Sequence, residues 1–174
     1  KNKKIGKSIQ GCLSTSSIRP YLSSDIVGAQ VGGALKNVIA IACGITEAKG
    51  LGDSARVAVM TRGFSEIKEI GLALGCDLET LMGLSGLGDL TLTCSSMKSR
   101  NLNFGKNLVL QKSTKNYVTV EGRETASAAC HIAERFGLEI PIMKSVDLVI
   151  KGTIAIDEAI NSLLSRPLRR ETND

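Results

Sequence analysis

The chain has 174 residues, of which 43% are hydrophobic and 22% are charged, values that are ordinary for a globular domain. Its net charge of +5 lies largely in residues 1–7 and 166–170 and not on one face, which argues against a nucleic-acid-binding protein. The five cysteines are odd in number and form no CxxC pair, which argues against a zinc site or a disulfide framework. No signal peptide is visible, so we expect a cytoplasmic location, and the missing initiator Met suggests a fragment.

The first half of the chain predicts helices. A helix end at residues 5–13 precedes a Ser/Thr linker and a short extended piece at residues 18–22. Ser23, Ser24 and Asp25 then cap a long helix at residues 25–48. That helix is apolar on all sides, which predicts the central, buried helix of an all-α fold. Its three glycines at positions 28, 32 and 33 indicate close packing or a break.

The second half continues the helical pattern. A glycine-rich segment, residues 83–90, predicts a tight turn between two of these helices. A polar connection is predicted at residues 111–117. The predicted helices after the central one lie at residues 54–74, 78–83, 90–94, 99–110, 122–136, 142–151 and 156–164.

Lys36 is the only charged residue between Ile26 and Thr46. Burial disfavours an ammonium and lowers its pKa, so a lysine in this position is a candidate acid/base. Two other interpretations compete with this one. The run is long enough to span a membrane, although Gln30, Asn37 and the missing aromatic belt disfavour a span. The lysine could also extend along the helix to reach solvent.

Two further elements could complete a site. Ser99, Arg100 and Asn101 open a helix, where free N–H groups and an arginine favour a phosphate, although simple capping by Ser99 explains the serine equally well. Asp89 follows the glycine-rich segment and is either a cap or a functional carboxylate. Together with Lys36 these residues could hold a small phosphorylated alcohol or ketone. The only histidine, His131, lies in a predicted helix and is expected to be structural, and no cluster predicts a metal site.

Four segments resemble one known family. GGALKNVIAIACGI, TRGFSEIKEIGLALG, GLSGLGDLTLTCSSMKSRN and TVEGRETA occur in the order found in the C-terminal domain of bacterial-type NAD(P)-dependent glycerol-3-phosphate dehydrogenases. The resemblance implies an all-helical domain of the 6-phosphogluconate dehydrogenase-like type. It also implies a division into an exit from the Rossmann domain at residues 1–23, a substrate-binding domain at 24–166 and a tail at 167–174.

The resemblance also implies roles for individual residues. Lys36 matches the catalytic lysine, which accepts a proton in alcohol oxidation and donates one in ketone reduction. Cofactor contacts are implied for Arg100, Thr119 and Glu121, with Thr119 standing where the family usually has an apolar residue. Substrate contacts, or orientation of the lysine, are implied for Lys36, Asn37, Asp89, Thr93, Ser99, Arg100 and Asn101.

The implied activity is reversible reduction of dihydroxyacetone phosphate to glycerol 3-phosphate with NAD or NADP. No GxGxxG motif follows a predicted strand, so we expect the cofactor to bind mainly to a domain outside this sequence and the chain alone to be inactive. Two alternatives remain at this point: the helical domain of a related hydroxy-acid dehydrogenase, and a non-enzymatic dimerisation module. A homodimer is compatible with the implied activity and with both alternatives. A nucleic-acid partner is not expected.

Overall fold

A computed structural model describes residues 2–111 and 120–167, and every regular element in these ranges is helical, which confirms the predicted all-α class. One turn of π-helix spans Leu84–Gly88. The helices are α1 (Lys3–Leu13), α2 (Ile26–Ala48), α3 (Asp53–Ala73), α4 (Leu78–Met82), α5 (Asp89–Ser95), α6 (Arg100–Val109), α7 (Glu121–Phe136), α8 (Pro141–Ile150) and α9 (Ile156–Leu164).

Helix α2 is the centre of the bundle, as its all-round apolarity predicts. It begins at the predicted cap, where the Asp25 carboxylate accepts the N–H of Gly28 at 2.7 Å. Residues 37–46 are buried without interruption, because α3, α5, α6, α7 and α8 pack around them. Within the described ranges α2 alone is long and apolar enough to cross a membrane by composition, and 56% of its most apolar window is buried inside the bundle. Burial against the other helices therefore accounts for its apolarity.

Helices α2 and α6 cross with their backbones in contact. A Cβ added at Gly44 would lie 2.0 Å from the Leu102 carbonyl oxygen, and one at Gly105 would lie 2.1 Å from the Ile41 carbonyl oxygen. Only glycine permits this approach at either position, because a backbone atom on the facing helix cannot turn aside as a side chain can. The crossing places the first turn of α6 beside α2.

This crossing gives a stability prediction with a matched control in the same helix. Gly44→Ala should lower the free energy of unfolding by about 2 kcal/mol or more, because overpacking a rigid contact separates the two helices. Gly33→Ala should be neutral or stabilising by up to about 1 kcal/mol, since a Cβ there meets nothing within 4 Å and alanine favours helix. Urea denaturation of the three proteins measures both values. Equal stabilities for the two variants would contradict the backbone contact.

The glycine-rich segment differs from the predicted turn. It forms the π-helical turn and continues directly into α5, and none of its glycines has a positive φ. Close approach requires glycine at position 86, because a Cβ there would lie 1.9 Å from the Leu81 carbonyl oxygen. On the other side, a Cβ at Gly32 of α2 would lie 3.1 Å from the Ser85 carbonyl oxygen. The predicted close packing is confirmed at Gly28 and Gly32 and is wrong at Gly33, where a Cβ would meet nothing within 4 Å. Helix α2 is unbroken, and Asp89 becomes the first residue of α5.

A buried carboxylate joins α3 to the start of α8. Glu66 on α3 accepts the backbone N–H groups of Ile142 at 2.7 Å and Met143 at 3.0 Å. Burial raises the pKa of Glu66 to about 7, although the two N–H groups oppose that shift. The Glu66 side chain on α3 thus accepts hydrogen bonds from two N–H groups that have no partner within the first turn of α8.

Helix α1 lies outside the core. None of its residues is buried, and the apolar side chains of Ile5, Ile9 and Leu13 are exposed along one face. Residues 14–25 that follow have no regular secondary structure, so the extended piece predicted at residues 18–22 forms no strand. The Gln10 amide donates to the Pro20 carbonyl oxygen at 2.8 Å and holds this segment against the helix. An amphipathic helix whose apolar face is largely exposed therefore begins the described chain.

Candidate active site

Lys36 forms an ion pair with Asp89. Its ammonium donates to Asp89 Oδ2, and the two side chains are 19% and 32% exposed. Lys36 lies just before the continuously buried part of α2, and the close packing of the π-helical turn on Gly32 brings Asp89 to it. The carboxylate compensates the ammonium charge that an apolar helix would otherwise disfavour. The lysine is therefore paired and accessible, and does not simply extend into solvent.

Thr93 lies one turn after Asp89 on α5. Its hydroxyl donates to the Asp89 carbonyl oxygen at 2.7 Å and lies 3.5 Å from Asp89 Oδ1. The single hydroxyl hydrogen of Thr93 is thus used within the helix, so the structure places Thr93 beside the Lys36–Asp89 pair but does not select between its two implied roles.

The N-terminus of α6 carries the predicted capping residue and an arginine. Ser99 Oγ accepts the N–H of Leu102 at 3.3 Å, so the serine is the helix cap. Arg100, the first helical residue, is 61% exposed, and its guanidinium lies 3.8 Å from Glu121 Oε1 at the start of α7. A helix N-terminus with an exposed arginine on its first turn suits an anionic ligand.

Asn37 and Asn101 lie beneath this surface and contact each other. Asn101 Nδ2 donates to Asn37 Oδ1 at 2.9 Å, and Asn37 Nδ2 donates to Glu121 Oε2 at 3.1 Å. The implied site residues of α2, α6 and α7 therefore converge, but the two asparagines are bound to protein groups and not turned to the outside. Sequence reasoning missed Gly122, whose N–H donates to Asn101 Oδ1 at 3.1 Å. Its only signal was its position inside the TVEGRETA segment.

Some predicted positions lie apart from this group. Thr119, most of the predicted connection at residues 111–117 and most of the tail at 167–174 are outside the described residues. His131 is exposed on α7, ten residues after Glu121 and thus about 15 Å away along the helix axis. Among residues 2–111 and 120–167, no group of three His, Cys, Asp or Glu side chains could hold a metal ion. Cys43 is buried and Cys130 is half-buried.

The arrangement defines a class of site. A lysine held by a carboxylate can exchange a proton with a bound oxygen, and a nearby arginine at a helix N-terminus can hold an anionic group. Lys36 and Asp89 are partly exposed, and Arg100 and Glu121 are more than half exposed. These features suit the helical, substrate-binding half of a two-domain enzyme.

Comparison with known proteins shows the family to which the chain belongs. The family model described as NAD-dependent glycerol-3-phosphate dehydrogenase C-terminus matches residues 25–161. The chain therefore belongs to the NAD-dependent glycerol-3-phosphate dehydrogenase family, as its C-terminal part. This confirms the family resemblance stated from the four sequence segments.

Individual relatives agree with this assignment. The chain is 52% identical over 166 residues to the glycerol-3-phosphate dehydrogenase, NAD(P)+, of Cereibacter sphaeroides, covering 95% of this chain and 54% of that protein. It is 48% identical over 174 residues to the enzyme of the same name from Parvibaculum lavamentivorans, covering 97% of this chain and 52% of that protein. The crystal structure of the glycerol-3-phosphate dehydrogenase of Coxiella burnetii matches with a TM-score of 0.88 and 32% identity, over 95% of this chain and 52% of that one. The chain thus spans about half the length of these relatives.

Proposed function

We propose that this chain supplies the substrate-binding and acid/base half of an enzyme that reversibly reduces dihydroxyacetone phosphate to glycerol 3-phosphate with NAD or NADP. The observation that carries the proposal is the partly exposed Lys36–Asp89 ion pair, next along α2 to Asn37, which donates to Glu121, in a chain of this family. The product would serve glycerophospholipid synthesis, and we propose a cytoplasmic location.

The acid/base step belongs to Lys36. In the direction of reduction, its ammonium donates a proton to the C2 oxygen as negative charge develops there, and the neutral amine takes that proton back in oxidation. Asp89 keeps the lysine side chain in place in both directions. The bound nicotinamide supplies or accepts the hydride at C2.

The start of α6 binds the anionic groups of the substrate and the cofactor. The guanidinium of Arg100 and the first N–H groups of the helix form a positive end suited to the substrate phosphate. The exposed Glu121 carboxylate can accept hydrogen bonds from hydroxyl or amide groups of a nicotinamide cofactor, and Arg100 can bind its phosphates. The described residues therefore fit the implied cofactor at this edge, although the larger part of a dinucleotide needs a second domain.

The exposure of the site residues and the exposed side of α1 both support a nucleotide-binding partner domain. Lys36, Asp89, Arg100 and Glu121 are all accessible to solvent, so water would reach the reacting atoms unless a second domain closes over them. The apolar face of α1 is also uncovered. We assign residues 1–23 to that domain, residues 24–166 to the substrate-binding domain and residues 167–174 to a tail.

A fusion protein tests the function. The part of the Cereibacter sphaeroides relative that precedes its matched region would be joined ahead of this chain, and NAD(P)H oxidation with dihydroxyacetone phosphate would be followed at 340 nm. We expect turnover on the order of 1–1000 per second from the fusion, a common range for enzymes, and none above background from the chain alone. The controls are the two parts mixed without fusion and the relative's N-terminal part alone.

Other outcomes discriminate between the alternatives. Turnover only with small hydroxy acids or their ketones would assign the chain to a related dehydrogenase. A soluble, folded fusion without any turnover, together with self-association of the chain, would favour the dimerisation module. Size-exclusion chromatography with light scattering of the active fusion tests the homodimer.

A further inference from the structure

Two cysteines from different helices are in contact inside the bundle. Cys43 lies on α2 and Cys94 on α5, and both side chains are fully buried. The Cys94 thiol donates a hydrogen bond to the Cys43 sulfur, and the Cys43 thiol donates to the Arg56 carbonyl oxygen at 3.9 Å. The two sulfurs thus form a cluster that the Lys36–Asp89 chemistry does not use.

The contact makes the two thiols chemically unequal. The hydrogen bond from Cys94 lowers the pKa of Cys43, burial opposes this effect, and the positive charge of Arg56 lowers the pKa again. The same hydrogen bond raises the pKa of Cys94, and burial raises it further. Cys43 is therefore the sulfur that ionises first, while Cys94 keeps its proton. A thiolate is the nucleophile of thiol chemistry, and a second thiol beside it makes oxidation reversible.

Arg56 on α3 connects the surroundings of both cysteines to the surface. Its carbonyl oxygen accepts from Cys43, and its guanidinium lies 3.4 Å from the Oγ of Ser95, the residue after Cys94. The guanidinium also lies 3.1 Å from Asp53 Oδ1, and the two side chains are 23% and 92% exposed. Contacts of this kind open without global unfolding. Hydrogen peroxide, a molecule little larger than water, can therefore reach the thiols through a local opening at this arginine.

Cys76 provides a contrast inside the same core. It is buried, and burial and the charges of Asp25 and Asp77 raise its pKa. A buried thiol of this kind behaves as a small apolar side chain and is inert. What distinguishes Cys43 from Cys76 is thus the hydrogen bond from a second thiol, and not burial.

We propose that Cys43 and Cys94 are a modification site, at which a peroxide oxidises the two thiols to a disulfide that joins α2 to α5. The Cys43 thiolate attacks one peroxide oxygen, the O–O bond breaks, and the hydroxide that leaves takes up the proton released by Cys43. The product is a sulfenic acid at Cys43. The Cys94 sulfur then attacks the Cys43 sulfur, the S–O bond breaks, and the hydroxyl group leaves as water with the Cys94 proton. Two thiols and one hydrogen peroxide thus become one disulfide and two waters, with the peroxide as the oxidant.

The disulfide would change the candidate active site through α5, a consequence that rests on the proposed function. A disulfide holds its sulfurs about 2.05 Å apart, much closer than a hydrogen bond between two thiols, so α5 must shift toward α2. Asp89 begins the same short helix, and Thr93 directly precedes Cys94. We expect the shift to disturb the contact of Asp89 with Lys36 and to lower kcat/KM of the fusion protein about 10- to 100-fold.

Peptide mapping of the fusion protein tests the disulfide without any activity. Cys12→Ser in every sample removes the exposed thiol of this chain. After treatment with millimolar hydrogen peroxide, the remaining thiols are alkylated in denaturant, and the unreduced protein is cut after Lys, Arg, Asp and Glu. We expect peptides 37–47 and 90–98 as one species, with their summed mass less two hydrogens, which dithiothreitol separates. Peptide 70–77, which carries Cys76, should be alkylated and is the internal control.

Variants test the pairing and its effect on turnover. In Cys43→Ala, the Cys94 thiol should stay reduced and kcat/KM should be the same before and after peroxide. In Cys94→Ala, oxidation should stop at a sulfenic acid on Cys43, which dimedone traps. Cys76→Ala is the matched control, because it removes another buried thiol and should lose activity with peroxide as the wild type does. Dithiothreitol should restore the activity of the wild type.

The two measurements separate the two proposals. An inactive wild-type fusion would contradict the proposed function, while the peptide map would still decide whether the disulfide forms. Unlinked, alkylated peptides 37–47 and 90–98 after peroxide would overturn the modification site, as would sulfinic or sulfonic acids without linked peptides. A linked pair with unchanged kcat/KM, or a loss that persists in Cys43→Ala, would overturn the effect on α5. If circular dichroism shows that Cys43→Ala is unfolded, Cys94→Ala replaces it, and the map of the wild type remains decisive.

Discussion

Replacing Lys36 with alanine in the fusion protein should lower kcat for dihydroxyacetone phosphate reduction by about three orders of magnitude. General acid–base catalysis contributes roughly 10²- to 10⁴-fold, and the ammonium also stabilises negative charge on the C2 oxygen. Lys36→Arg should recover little of this loss, because a guanidinium keeps its proton at every working pH. Steady-state kinetics with both substrates saturating, and circular dichroism for the fold, measure the effect.

Helix α2 offers a matched control. Lys49, at the C-terminal end of the same helix, is also paired with an aspartate, Asp157 on α9. Lys49→Ala removes a similar ion pair away from the proposed site and should leave kcat within about twofold, since partly exposed pairs contribute little. Equal losses in Lys36→Ala and Lys49→Ala would show that an ion pair supports the fold and that Lys36 transfers no proton.

The central helix could be predicted from sequence because its signals are local. Asp25 is a capping residue three positions before Gly28, and the uncharged run that follows is apolar on every side. Both signals depend only on neighbouring residues, and the structure places the helix within one residue of the predicted start. The same applies to Ser99, which caps α6 by accepting the N–H of Leu102, three residues further along the chain.

The pairing inside the site was harder to predict because it is not local. Lys36 and Asp89 are 53 residues apart, and both were recognised as candidates without a reason to place them in contact. The contact depends on Gly32 and Gly86, which let the π-helical turn approach α2 and α4. The segment's glycines predicted a turn with special backbone angles, whereas they serve close packing with ordinary ones.

The roles of the two asparagines could not be predicted from residue type. Asn37 and Asn101 are 64 residues apart, and an asparagine amide can bind a ligand, a helix end or another amide equally well. The family resemblance marks their positions but does not say which atoms they face. Both asparagines are buried, and the structure shows that they contact each other where α2 and α6 cross at Gly44 and Gly105. The residue type of Gly122 predicts no contact, because glycine is required there by lack of space: a Cβ would lie 2.9 Å from the Asn37 carbonyl oxygen.

Replacing Arg100 with alanine should remove the preference of the fusion protein for a phosphorylated substrate. We expect kcat/KM for dihydroxyacetone phosphate to fall about 100-fold, since a hydrogen bond to a charged group contributes roughly 1.5–3 kcal/mol and here the charges also attract. Unphosphorylated dihydroxyacetone should be reduced poorly and nearly equally by both proteins, because it lacks the group that the guanidinium holds. The ratio of the two kcat/KM values is the measurement.

The ratio distinguishes phosphate binding from the cofactor role that Arg100 is also expected to have. A purely cofactor-binding arginine would lower turnover of both substrates by the same factor and leave the ratio unchanged, which would contradict its contact with the substrate phosphate. Arg123→Ala is the control, because Arg123 is on the first turn of α7 with its guanidinium 5.8 Å from the centre of the Phe104 ring. Its ratio should match that of the wild type. Arg100→Lys should recover only part of the preference, since an ammonium keeps the charge but cannot form the two parallel hydrogen bonds of a guanidinium.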